Sequence, residues 1–99
     1  MILLRRVTGD SMLPALAHNQ VIVAVRFIRP RPGNVIVIHH EGLDKIKRLA
    51  KLQDGGLFVL GDNPAQSKDS RTFGWLPRAC FKATVIWPRV ACRRTMSLE

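Results

Sequence analysis

Four short runs of β-branched residues, each fenced by turn formers, constrain this chain more than any other feature. They are "VIVAV" at 21–25 behind "HNQ", "VIVIHH" at 35–40 behind "RPRPGN", "LFVL" at 57–60 behind "QDGG", and "ATVIWP" at 83–88. Runs of this length suit a pleated, half-buried surface, and the Gly, Pro, Asn and Asp clusters between them break any longer element. No window carries apolar residues at i, i+3, i+4 and i+7 over three turns, and "DKIKRLAKL" at 44–52 reads as an alternating strand as readily as a helix. The expectation is an all-β fold: a single small domain with a coiled or barrel-like antiparallel sheet. The 99 residues are enough chain for one core and too little for two. That domain is expected to span 1–90, followed by a patternless tail at 91–99 that is disordered or in part artificial.

The longest apolar runs fall far short of the roughly 18 residues of a membrane-spanning helix. "MILLRR" also lacks the apolar stretch and cleavage site of a signal peptide. Sixteen Lys and Arg against seven Asp and Glu give a formal charge of +9, which attracts nucleic acid, anionic lipid or an acidic protein without choosing among them. The basic residues are scattered and form no block, so a solvated basic surface is the plainer reading and no nucleic-acid partner is expected. Cys80 and Cys92 form no CxxC pair, and a reduced, cytoplasmic protein is the simpler inference. His39 and His40 would point to opposite faces of a strand; they read as edge-of-strand polar residues, and no metal site is expected.

Three features call for a common explanation. "GDSMLP" at 9–14 sets Ser11 in a tight turn, Lys47 and Arg48 interrupt an apolar strand, and "GDNPAQSKDSRTFGWLP" makes a long loop at 61–77. Taken singly, Ser11 could close a turn, Lys47 could lie on a solvated face, and the loop could be a cluster of Asx turns. Met12 and Pro14 read as residues that shape the turn and pack the core. Pro30 and Pro32 with Gly33 suggest a hairpin-like connection.

In this order, "GDSMLPAL", "KIKRL" and the long loop resemble the serine-lysine peptidases of the signal peptidase I family, over roughly Val7 to Pro88. The segment between Lys47 and Gly61 is short and no anchor is present, features that resemble the small soluble branch described as nickel-type superoxide dismutase maturation proteases. The resemblance implies Ser11 as nucleophile, Lys47 as general base and Ser67, in preference to Ser70, as the hydroxyl that orients the lysine. It implies that Asp62, Asp69 and Arg71 pair to hold the loop. The Ser11 N–H would be the first oxyanion donor; Gly9 stands where many relatives carry a second, hydroxyl donor. Substrate would lie extended along Leu4, Arg6 and Thr8, with small side chains just before the cut. The implied activity is removal of an N-terminal propeptide from a precursor protein, with the nickel superoxide dismutase precursor as leading client and no metal or cofactor.

The chemistry can be argued from the residues as well. A serine hydroxyl needs a base within reach as it attacks a carbonyl, and lysine serves only when burial disfavours its ammonium form. On an alternating strand Lys47 shares a face with Leu49, while Arg48 turns to the other face with Ile46 and cannot accept a proton. Lys45, nearer the strand end, reads as a surface residue. Gly61 and Gly74 would permit turns that a Cβ obstructs. One alternative keeps the chemistry and places it at a membrane surface, acting on exported precursors. Another is a basic nucleic-acid-binding barrel, against which stand only six aromatics, none of them tyrosine. Self-cleaving repressors share the serine and lysine on a related scaffold, but neither DNA-binding helices nor an internal cleavage segment is evident.

Overall fold

The computed structural model describes residues 1–90; the expected tail at 91–99, with Cys92, lies outside the described residues. Seven strands form one sheet: β1 (Ile2–Arg6), β2 (Val21–Val25), β3 (Val35–His40), β4 (Leu43–Gln53), β5 (Gly56–Leu60), β6 (Leu76–Pro77) and β7 (Phe81–Trp87). All neighbours pair antiparallel, and the sheet curls into a half-barrel in the order β1-β2-β7-β3-β4-β5-β6. The ambiguous "DKIKRLAKL" segment is strand, because β3 pairs along one side of it and β5 takes up the other side from Arg48 onward. Pro30, Pro32 and Gly33 do not make a hairpin: β7 is inserted between β2 and β3, so their connection crosses over that strand.

The unbroken apolar run of β3 follows from burial on both faces. Val35 and Val37 face one core with Leu3, Val7, Met12 and Leu16. Ile36 and Ile38 face a second with Leu49, Leu57, Val59 and Leu76. Each such side chain contributes about 1.5–3 kcal/mol on leaving water. His39 and His40 follow at the end of β3, an inner strand and not an edge. His40 packs its ring 4.5 Å from that of Phe73, while His39 reaches Asp44.

The long loop holds more structure than its composition suggests. A 3₁₀ turn at Pro64–Gln66 leads to a single helical turn, α1 (Ser70–Phe73), and then to β6. Asp69 caps α1 by accepting from the Arg71 amide, and Gly74 leaves it at φ 82°, a conformation glycine adopts without strain. Phe73 and Leu76 thereby cover the second core.

Candidate active site

The turn at Ser11 is fastened from three directions. Val7 still pairs toward β2, with its N–H donated to Gln20 and its carbonyl accepting from Asn19. Met12 then anchors the turn in the first core at 1% exposure, whereas Pro14 stays exposed and packs nothing there. From the long loop, Asn63 donates its N–H to the Ser11 carbonyl at 2.8 Å and its side-chain amide to the Asp10 carbonyl at 3.0 Å.

Lys47 is buried on β4, and its Nζ donates to Ser67 Oγ at 3.0 Å. Ser67 in turn donates to Asp69 Oδ2 at 3.0 Å, so its proton points away from the lysine and its oxygen toward it. Asp69 Oδ2 also accepts from the Gly61 N–H at 2.8 Å, and Arg71 grips the same carboxylate through Nε and Nη2. Burial pushes the Lys47 amine below the ordinary lysine range; the negative charge of Asp69 opposes this, and the charges of Lys45 and Arg71 reinforce it. For Asp69, burial raises the pKa, but the bonds from Arg71, Gly61 and Ser67 outweigh it and hold the carboxyl below its usual range.

Asp62 does not join the Asp69–Arg71 pair. It forms a two-pronged bond with Arg48, Nε to Oδ1 at 3.1 Å and Nη2 to Oδ2 at 2.6 Å, with side-chain exposures of 0% and 1%. Arg48 also donates Nη1 to the Gly33 carbonyl at 2.9 Å. Adjacent residues on β4 thus do different work: Lys47 meets Ser67 and Arg48 fixes the start of the loop. Ser70, buried, accepts from the Val59 N–H at 2.8 Å and so ties α1 to β5.

Gly61 lies between the two serine-bearing segments. A Cβ there would fall 2.1 Å from Ser67 Oγ and 2.8 Å from the Ser11 carbonyl oxygen, so no larger residue fits without displacing one of them. Ser11 and Lys47 line one pocket of about 100 Å³ with Val7, Thr8, Met12, Lys45 and Ile46. Lys45 is not a free surface residue: it is half-buried, bonded to Glu41 and His40 and set over the Phe73 ring. The Gly9 N–H is donated to His18 Nδ1 at 2.8 Å.

The pocket opens between two strand edges. Among the described residues β1 has β2 as its one sheet neighbour, and since Val7 bonds toward β2, antiparallel alternation turns the backbone groups of Leu4, Arg6 and Thr8 the other way. On β4, pairing with β5 begins at Arg48, so among the described residues no strand lies beside the edge from Asp44 to Lys47. Leu4, Arg6 and Thr8 are exposed along this gap. Sequence reasoning gave no role to Asn63, Arg48 as an ion-pair partner, His18 or Asp44. The "GDN" triplet was the available signal for the first; the others depend on contacts between distant segments.

Among the described residues no group of His, Cys, Asp and Glu is arranged to hold a metal. No helix among them is long and apolar enough to cross a membrane. A sequence profile described as Peptidase S24-like matches residues 2–73, a span that contains Ser11, Lys47, Ser67 and Asp69. No curated protein matches the chain.

Proposed function

The chain belongs to the Peptidase S24-like family, and on that premise we propose that it is a serine endopeptidase in which Ser11 and Lys47 form the catalytic dyad. A serine-peptidase function with a protein substrate follows from the family; the roles of individual residues are our assignment. The observation that carries it is the buried Lys47 amine, bonded to Ser67 beside the pocket that Lys47 shares with Ser11.

In this mechanism a neutral Lys47 donates one N–H to Ser67, which leaves its lone pair for the Ser11 hydroxyl. Ser11 Oγ attacks the scissile carbonyl carbon as Lys47 takes the proton. The oxyanion is met by the Ser11 N–H; the Gly9 N–H already serves His18, so it is not assigned as a donor. Lys47 then gives its proton to the departing amine, which leaves an ester on Ser11. A water attacks that ester as Lys47 takes one of its protons; the bond from the carbonyl carbon to Ser11 Oγ then breaks, Lys47 returns the proton to Ser11, and the carboxyl product leaves. While Lys47 is charged, the negative charge of Asp69 stabilises it; the charge of Arg71 opposes that and favours the neutral amine. Asp62, with Arg48, holds the loop that carries Ser67.

The substrate is bound as an extended strand between the free edges of β1 and β4, where Leu4, Arg6 and Thr8 offer main-chain groups. A pocket of about 100 Å³ suits small side chains before the cut. On the strength of the motif resemblance, the client is a precursor with an N-terminal propeptide, with the nickel superoxide dismutase precursor first in line, processed in the cytoplasm. A second reading, an exported precursor met at a lipid surface, is favoured by the row Leu4–Val23–Trp87 across β1, β2 and β7, whose outer members are 63% and 57% exposed. Flotation with vesicles distinguishes the two. Incubation with candidate precursors, with new termini read by mass spectrometry, tests the activity itself: a defined cut absent with Ser11→Ala supports the dyad, and an identical cut by that variant overturns it.

A further inference from the structure

Asp44, one residue before the pocket-lining Lys45, is surrounded by basic side chains from three other strands. Arg5 Nε donates to Oδ2 at 2.8 Å, Lys82 Nζ lies 3.0 Å from Oδ2, and His39 Nδ1 lies 2.9 Å from Oδ1. The cluster carries one net positive charge with His39 neutral and two when it is protonated. It is open to solvent, since Arg5, Lys82 and His39 are 35%, 33% and 54% exposed. Hydrogen bonds from His39 and Arg5, with Lys82, hold the Asp44 carboxyl far below its usual range against the effect of burial, so it stays an anion.

Arg5 has a second bond, from Nη1 to the Leu4 carbonyl at 2.8 Å. That carbonyl points away from β2, into the gap where a peptide would pair. An incoming strand offers its own N–H to Leu4 and displaces Nη1. The guanidinium stays tethered to Asp44 through Nε, with an unsatisfied N–H turned into the groove. A carboxylate on the peptide satisfies that donor in the geometry guanidinium favours, while a peptide cation meets the net positive cluster. Asp44 precedes Lys47 by three residues on β4, roughly 10 Å along a strand. The overall charge of +9 adds long-range attraction for an acidic segment.

We propose that Arg5, positioned by Asp44, recognises an acidic side chain three or four residues from the scissile bond, so that substrates of this site carry Asp or Glu there. The proposal rests on the reading of Ser11 and Lys47 as the reacting pair, and binding separates the two. The probes are fluorescent eight-residue peptides, rich in Ala, with one Glu, Gln or Lys moved through each position, titrated into the Ser11→Ala protein. A Glu peptide is expected to bind at least tenfold tighter than its Lys counterpart at one or two adjacent positions. That preference should vanish when Arg5→Gln is added and reverse with Arg5→Glu. Equal affinities in the Ser11→Ala protein overturn the proposal, whether or not the Arg5 variants fold; so does a preference that survives Arg5→Gln. If the preferred peptide binds but the unmodified protein leaves it uncut, the dyad fails while the acidic site stands. Cutting without any acidic preference has the opposite meaning.

Discussion

The Nζ of Lys47 and the Oγ of Ser67 lie 3.0 Å apart, with the lysine donating and the serine proton committed to Asp69. This polarity fixes which way the amine faces. The amine also feels two charges of the long loop, those of Asp69 and Arg71, which act on it in opposite directions.

Replacing Arg71 by alanine should move the acid limb of the pH profile to higher pH. The positive charge of Arg71 lowers the Lys47 pKa. Its loss stabilises the ammonium form, so the neutral base appears only at higher pH. The kcat/KM profile of the variant measures this, and a limb that stays put or moves down contradicts the arrangement.

Lys47→Met should abolish cleavage and raise stability by about 0.5–2 kcal/mol at neutral pH, as substitutions that relieve a strained site commonly do. The sign follows from linkage. The Lys47 pKa is lower folded than unfolded, so between the two values the unfolded chain holds a proton the folded one lacks. Stability of the parent protein therefore falls as pH drops from above the unfolded value through this window, and the advantage of the variant widens. Urea titrations at pH 7 and pH 10 check both the sign and the trend.

Gly61→Ala should reduce kcat about 100-fold or more with the fold retained, since displacing a reacting group by an ångström has effects of that order. The added methyl meets Ser67 Oγ and the Ser11 carbonyl together. Far-UV circular dichroism unchanged alongside normal turnover would show that the two segments can separate freely.

Asp62→Ala should destabilise the domain by about 3–5 kcal/mol, because it strands the Arg48 charge in the interior. Replacing both residues by apolar side chains of similar volume should be much milder. A shift in the urea midpoint equivalent to less than about 1 kcal/mol for Asp62→Ala would mean that water reaches the guanidinium.

Ser67→Ala should slow turnover about 10- to 100-fold with little change in KM, less than loss of the base itself. Single-turnover kinetics distinguish this from weakened substrate binding.

The strands were legible where both faces of the sheet are covered, since "VIVI" in β3 leaves no competing period. β4 was ambiguous because three lysines and an arginine interrupt its pattern; its pairing with β3 decides the matter, and pairing is invisible in one segment alone. The same limit hid the position of β7 and produced the mistaken hairpin at Pro30–Gly33. Of the candidate residues, Lys47, Ser67 and Asp69 come together as a hydrogen-bonded chain, and Ser11 shares the Lys47 pocket. Asp62 was grouped with the wrong cation. Alternation correctly sends Arg48 and Lys47 to opposite faces, yet it says nothing about which loop carboxylate folds over each face.

Because β7 fills the centre of the sheet between β2 and β3, the last of the described strands joins two halves that precede it in the sequence. A nascent polypeptide halted at residue 80 already contains Ser11, Lys47, Ser67 and Asp69 but lacks the piece that connects the Ser11 half to the Lys47 half. Assembly of the pocket that holds Ser11 and Lys47 therefore depends on β7, a strand that follows in the sequence every residue lining that pocket.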